Sequence, residues 1–169
     1  MSPKVTCRKS AKSTGREYHL FNYTGAPDAE FVLVSMGSGS QTIEETVKML
    51  VAKGEKVGCI NVHMFRPWSE KHFLLLCRIR SRKSLSWTAR KKPVTKPGEP
   101  SSTHSVAATF AVADNAPKVY HGRYGIASKE FLPGDVVAAF ENLKAFEPKN
   151  DFTLSIVDDV TYKSLPRVK

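Results

Sequence analysis

The sequence has 169 residues, of which 41% are hydrophobic, and a formal net charge of +10. This length suits one globular domain with a sizeable core, and no apolar run approaches the roughly 20 residues of a membrane span. The three cysteines, Cys7, Cys59 and Cys77, form no C-x-x-C pair, which excludes a zinc site or an iron–sulfur cluster built from this chain alone.

The positive charge is concentrated in two segments. Residues 1–16 carry five lysines and arginines, residues 76–98 carry eight, and neither segment contains an acid. The rest of the chain has 13 positive charges against 16 acids and is mildly acidic. A nucleic-acid binder usually spreads its positive charge over a folded face with aromatic residues between, but Trp87 is the only aromatic residue of the second segment.

The first residues, 1–17, are polar and basic without periodicity, and we interpret them as a flexible arm. They lack the apolar core of a secretory signal, although an acid-free stretch with serine and arginine is also compatible with an organelle transit segment. An aromatic stretch at 18–23 and a turn at 24–28 follow the arm.

The most informative stretch is 31–50, where a buried strand, a glycine loop and a helix follow one another. The pattern predicts a strand over 30–35 and a helix over 41–53. The helix is expected to have an apolar stripe on one face and to stop at Lys53-Gly54-Glu55. The first turn of this helix is expected to hold its cap at Ser40 or Thr42 and two acids at Glu44 and Glu45.

The later elements continue the alternation of strands and helices. In chain order we predict a strand over 56–65, a helix over 70–80 capped by Ser69, a weak strand over 84–88, a helix over 106–113, a short strand or loop over 119–124, a helix from Pro133 and a strand over 151–157. Such an alternation predicts an α/β fold of three layers with a largely parallel sheet.

The glycine loop is the one candidate ligand site. Backbone amides at a helix N-terminus can hold a phosphate, and the residues concerned are Gly37, Ser38, Gly39, Ser40 and Gln41. The loop has neither the lysine of a P-loop nor the third glycine of the dinucleotide fingerprint. A structural turn is therefore favoured over a cofactor-binding loop.

The remaining chemistry-bearing residues show no catalytic or ligand spacing. Asp158 and Asp159 follow a predicted strand and could bind a cation, but two adjacent acids there favour a solvated turn. The histidines favour surface or packing roles; they are His19, His63, His72, His104 and His121. We therefore predict no catalytic residue and no metal ligand.

Four runs of the sequence resemble one internal domain, domain II, of the pyruvate:ferredoxin (flavodoxin) oxidoreductases. They occur in the order and spacing of that family and cover about two thirds of the chain; they are residues 14–47, 53–73, 117–143 and 149–166. The resemblance implies a domain shaped like the C-terminal domain of transketolases. It spans residues 18–166, with a divergent basic segment at 74–108 and a short tail at 167–169.

The resemblance also implies what the parent enzyme does. That enzyme converts pyruvate and coenzyme A to acetyl-coenzyme A and carbon dioxide, and it uses thiamine diphosphate, magnesium and iron–sulfur clusters to reduce ferredoxin or flavodoxin. The domains that hold these cofactors are not among the matching runs. The resemblance thus implies a truncated chain without cofactors of its own, in the cytoplasm or in an organelle of anaerobic energy metabolism.

The divergent segment departs from the family in a specific way. Where relatives have a strand followed by a stretch like V-L-D-R-T-K-E-P, this chain reads SLSWTARKKP. One codon choice for residues 85–92, read from its third base, yields Val-Leu-Asp-Arg-Thr-Lys-Glu. We hypothesise a local frame slip that begins near Leu76, and resequencing of the coding DNA tests it.

Three functions remain open at this point. The favoured one is a fragment of a pyruvate:ferredoxin oxidoreductase that packs against other domains or subunits, or against itself. The second is a subunit of a split 2-oxoacid oxidoreductase whose other subunits carry the cofactors. The third is a basic module that binds nucleic acid or an acidic protein through residues 1–16 and 76–98.

Overall fold

The computed structural model describes residues 12–15, 19–76, 83–87 (backbone path only), 109, 117–125 and 129–155. Its strands are β1 (Phe21–Gly25), β2 (Phe31–Ser35), β3 (Val57–Val62), β4 (Lys83–Trp87), β5 (Lys118–Arg123) and β6 (Phe152–Thr153). Its longer helices are α1 (Gly39–Ala52), α2 (Glu70–Leu76) and α3 (Pro133–Lys144). No helix within these ranges combines the length and the apolar character that crossing a membrane requires.

The six strands form one sheet in the order β1-β3-β2-β4-β5-β6. Strand β1 runs antiparallel to β3, and every other neighbouring pair is parallel. The predicted α/β fold with a largely parallel sheet is therefore confirmed. Strand β4 lies between β2 and β5, so the weakly predicted third strand occupies a central position.

The sheet separates two apolar layers, because successive strand residues point to opposite faces. Leu33 and Cys59 face a core built with α1 and α3. Val32 and Val34 face a second core that contains Phe73 of α2. Helices therefore cover both faces, which completes the predicted three layers.

The connections from β2 to β3 and from β5 to β6 cross the same face of the sheet in opposite directions. Helices α1 and α3 share one core and hence one face of the sheet, yet β3 lies on one side of β2 whereas β6 lies on the other side of β5. Two parallel crossovers on the same face that step in opposite directions have opposite hands.

Helix α1 begins two residues before its predicted start, because Gly39 and Ser40 already have helical geometry. Ser38 precedes the helix and makes no side-chain cap, so the predicted caps Ser40 and Thr42 are wrong. Glu44 and Glu45 accordingly fall beyond the first turn, which contains no acid.

The end of α1 was predicted correctly at the Lys53-Gly54-Glu55 stop. The Glu55 amide donates to the Leu50 carbonyl at 3.0 Å and the Gly54 amide donates to the Val51 carbonyl at 2.9 Å. Gly54 has φ +87°. This pair of bonds with a left-handed glycine is the Schellman motif.

Other boundaries shift by a few residues. Strand β3 is shorter than its predicted range of 56–65, and β6 is shorter than 151–157. The aromatic stretch before residue 24 was not predicted as a strand, but most of β1 is built from it. Of the predicted helix over 106–113, only Thr109 is described, and it is helical.

Candidate functional site

The glycine loop lies where ligands bind in many open α/β sheets. The chain leaves β2 for β3 on one side and later returns to β4 on the other side of β2. The crevice beyond the carboxyl ends of such diverging strands is the usual ligand site of this architecture. Residues 36–38 connect β2 to α1 at this point, so the loop has the right position for an anion site.

The loop itself is partly buried and internally bonded. Gly37 has φ +93° and, with Ser38 and Gln41, is exposed. The Ser40 hydroxyl is buried and lies 3.0 Å from the Ser35 hydroxyl, and the Ser40 amide donates to the Gly37 carbonyl at 3.1 Å. These bonds stabilise the tight turn from strand to helix.

Tyr124, from the other half of the chain, packs against the first residue of α1. Tyr124 is only 7% exposed, and its ring lies 4.3 Å from that of Phe131 between centroids. Burial raises the pKa of Tyr124 above its usual value. The Tyr124 hydroxyl thus lies directly against Gly39 at the start of α1.

The contact between Gly39 and Tyr124 leaves no space for a side chain at position 39. An alanine Cβ there would lie 2.3 Å from the Tyr124 hydroxyl oxygen and 2.7 Å from its ring carbon Cζ. We expect Gly39→Ala to lower the free energy of unfolding by about 1–3 kcal/mol, the usual cost of overpacking. Urea denaturation at neutral pH measures it.

A second substitution distinguishes this clash from other effects. In the Gly39→Ala background, Tyr124→Phe removes the nearest atom and should restore part of the lost stability. If Gly39→Ala instead unfolds at the wild-type urea concentration, the close contact does not exist in solution. Whether the loop binds a ligand stays a prediction that this pair does not test.

The described histidines are placed at scattered positions. His19 and His63 are exposed, and the His121 backbone amide donates to the Asn150 side chain at 2.8 Å. The ring of His72 lies 2.6 Å from the Ser69 hydroxyl, a local contact at the start of α2. Within the described residues no group of three or more metal-binding side chains comes together. Asp158, Asp159 and His104 lie outside those residues.

The thiol of Cys59 is the one cysteine side chain within the described ranges, and it is buried. The pKa of the Cys59 thiol is raised to about 12, mainly because the thiol is buried on β3 and to a lesser extent because of the negative charge of Glu44. A thiol that stays protonated is a poor nucleophile at neutral pH. Cys59 therefore has a packing role.

The raised pKa of Cys59 predicts a loss of stability in alkali. In the unfolded chain the thiol ionises near pH 9, whereas in the folded protein it keeps its proton to about pH 12. Above pH 9 the folded state binds more protons, so the free energy of unfolding should fall by about 1.4 kcal/mol per pH unit.

Denaturation at pH 8, 9 and 10 checks this expectation, with Cys59→Ala as the comparison. The variant should be less stable at pH 8 but should lose less stability between pH 9 and 10. Tyr23 is half-buried, and its pKa of about 12 adds a further loss only above pH 10. Parallel pH profiles for the two proteins would contradict the assignment.

Asp135 is a buried polar residue that the sequence interpretation did not single out. Its Oδ2 accepts a hydrogen bond from the Leu132 amide at 2.9 Å, and its Oδ1 accepts one from the Ser155 hydroxyl. The carboxylate caps α3 and links it to the residues after β6. The sequence contained a signal for this cap, a proline at the first helical position with an acid two residues later.

The comparisons with known proteins agree on one family. Residues 29–91 match the family model of "Pyruvate:ferredoxin oxidoreductase core domain II". The pyruvate:ferredoxin oxidoreductase of Moorella thermoacetica is 52% identical over 90% of this chain, and the pyruvate-flavodoxin oxidoreductase of Nostoc sp. PCC 7119 is 44% identical over 95%. The chain spans only 13% and 41% of the lengths of these relatives.

A solved structure supports the fold. The 2-oxoglutarate:ferredoxin oxidoreductase from Magnetococcus marinus superimposes with a TM-score of 0.53, over 83% of this chain and 23% of that chain. The sequence identity is 15%, so this likeness concerns the fold alone.

Proposed function

Because this chain corresponds to an internal domain of the pyruvate:ferredoxin and pyruvate-flavodoxin oxidoreductases, we propose that it is a structural and assembly domain of such an enzyme. The observation that carries the proposal is the 52% identity over 90% of the chain, against 13% of the relative's length. The enzyme in question oxidises pyruvate and coenzyme A to acetyl-coenzyme A and carbon dioxide. It passes two electrons to ferredoxin or flavodoxin.

In this proposal the chain supplies no catalytic group and holds no cofactor. The full enzyme would use thiamine diphosphate, magnesium and iron–sulfur clusters, held by other domains or subunits. Cys59 is a single buried thiol on β3, whereas an iron–sulfur cluster needs several cysteine ligands. The Tyr124 ring over Gly39 leaves little room for a diphosphate at the start of α1. Both features support a packing role. We place that role in the cytoplasm or in an organelle of anaerobic metabolism, as part of the same proposal.

A chimera tests the proposal directly. The matching stretch of the Moorella thermoacetica enzyme is replaced with this chain, and pyruvate-dependent reduction of ferredoxin is measured. The same enzyme with that stretch deleted is the control. We expect activity above the control, because a domain of the same fold restores the packing of its neighbours. A folded chimera no more active than the deletion would overturn the proposal.

Isothermal titration calorimetry on the 169-residue chain tests whether this domain binds the thiamine cofactor. Titration with thiamine diphosphate and magnesium should release no heat of binding. Saturable binding at a stoichiometry of one would show that this domain holds the cofactor, and the structural role would then be wrong.

The basic segments keep a second candidate open, since residues 1–16 and 76–98 contain only positive charges. A nucleic-acid module should bind a single-stranded oligonucleotide with an affinity that falls steeply as salt rises, because counterions are released. Apolar packing against other domains should respond little to salt. Fluorescence anisotropy with a labelled oligonucleotide at two salt concentrations distinguishes the two functions.

A further inference from the structure

Phe146 is the most exposed large apolar residue of the described part of the chain. Its exposed fraction is 97%, whereas Met49, Leu75 and Leu132 are 41–52% exposed. Phenylalanine is among the residues most often buried in proteins. Within the part of the chain that the structure describes, almost nothing covers the Phe146 ring.

The loop that presents Phe146 is held at both of its ends. The Asn142 side chain donates to the Lys149 carbonyl at 3.0 Å and accepts from the Lys149 amide at 3.0 Å. The Ala145 amide donates to the Glu141 carbonyl at 3.1 Å, and Pro148 restricts the backbone between them. The phenyl ring therefore projects from an ordered loop.

The base of the loop is also joined to the body of the domain. Lys144 forms an ion pair with Glu55, which follows α1, and the Asn150 side chain accepts from the His121 amide at 2.8 Å. Phe140 and Leu143 of the preceding helix are buried in the core. The loop is thus attached both to the residues that follow α1 and to β5.

An aromatic side chain on a preorganised loop is typical of an interface anchor. Binding hot spots are enriched in aromatic residues that fill a pocket of the partner, and a loop held before binding loses little conformational entropy when it docks. Phe146 combines an exposed aromatic side chain with a loop that is held at both ends.

We propose that Phe146 is an anchor that inserts into an apolar pocket of the adjoining part of the oxidoreductase. This inference rests on the proposed function, because that function supplies the occupant. The relatives that match 90–95% of this chain are themselves much longer, since it spans 13–41% of their lengths. Most of each relative is therefore available to cover an anchor at the loop.

Cysteine labelling measures whether Phe146 is covered. Phe146→Cys is introduced into the 169-residue chain and into the Moorella thermoacetica chimera, and both are treated with a maleimide. Mass spectrometry of the peptide that contains position 146 gives the labelling rate, and the rate in denaturant gives the intrinsic reactivity. In the isolated chain the position should react at nearly the intrinsic rate. In the chimera the rate should fall roughly a hundredfold, because a covered group reacts only through opened states.

Two results would overturn the inference. Equal rates in the chimera and in the isolated chain would show that Phe146 stays in water in the assembled enzyme. Protection that is already present in the isolated chain, and is lost on dilution, would assign the contact to a second copy of the chain. Neither result bears on the proposed function, which is decided separately by the activity of the chimera that retains Phe146.

Discussion

Phe140→Ala is expected to lower the free energy of unfolding by about 3–5 kcal/mol, the range measured for truncation of large buried aromatic residues. Phe140 is 1% exposed and belongs to the core that joins α1 and α3 to the sheet. Removing its ring leaves a cavity between the two helices and the strands. The loss is a large fraction of the 5–15 kcal/mol that typically holds a domain folded.

Phe146→Ala is the matched control, because it makes the same chemical change just beyond the end of the same helix. Phe146 is almost fully exposed, so in the isolated chain its substitution should change stability by less than about 0.5 kcal/mol. Urea denaturation of both variants measures the difference. Similar losses at the two positions would mean that the packing of α3 on the sheet is incorrect.

Gly25→Ala is expected to destabilise the protein by about 3–5 kcal/mol, because backbone strain and overpacking act together. Gly25 has φ +143° and lies opposite Gly58 in the β1–β3 pair. An alanine Cβ there would lie 2.4 Å from the Gly58 Cα and 2.6 Å from the Val57 carbonyl oxygen. Both neighbours are backbone atoms, so the clash cannot be relieved by rotating a side chain.

Gly54→Ala separates the two causes. Gly54 also has a positive φ, +87°, but no atom lies within 4 Å of an added Cβ. Only the left-handed backbone penalty applies, about 1–2 kcal/mol. The losses of unfolding free energy in the two variants, measured by thermal and urea denaturation, should therefore differ by the cost of the clash. If Gly25→Ala costs no more than Gly54→Ala, β1 and β3 are not packed this closely.

The elements with strong local patterns were predicted best. The helix over 39–52 was recognised from its apolar stripe and its glycine stop, and β2 and β3 from runs of β-branched residues. The start of α1 was misplaced by two residues because Ser40, a good capping residue by type, bonds to Ser35 instead. A local propensity for capping was overridden by a contact within the fold.

The frame-slip hypothesis stays a prediction. Strand β4 is present at Lys83–Trp87 and pairs in register with β2 and β5, so a central strand forms from this sequence. Strands covered on both faces usually read as apolar runs, and the K-S-L-S-W of β4 does not. That mismatch is the reason to resequence the coding DNA of this segment.

By itself, the sequence determined the α/β class, most of the helices and strands, and the resemblance to one oxidoreductase domain. The class and the elements follow from hydrophobic patterns that repeat within a few residues. The resemblance follows from four runs that occur in the same order as in the oxidoreductase family. Only the tertiary structure brought Tyr124 onto Gly39 and paired Asp135 with Ser155. It also showed that Phe146 is exposed whereas Phe140, six residues earlier, is buried. These contacts join residues far apart in the chain, or depend on which side of a helix meets the sheet, and no local pattern contains that information.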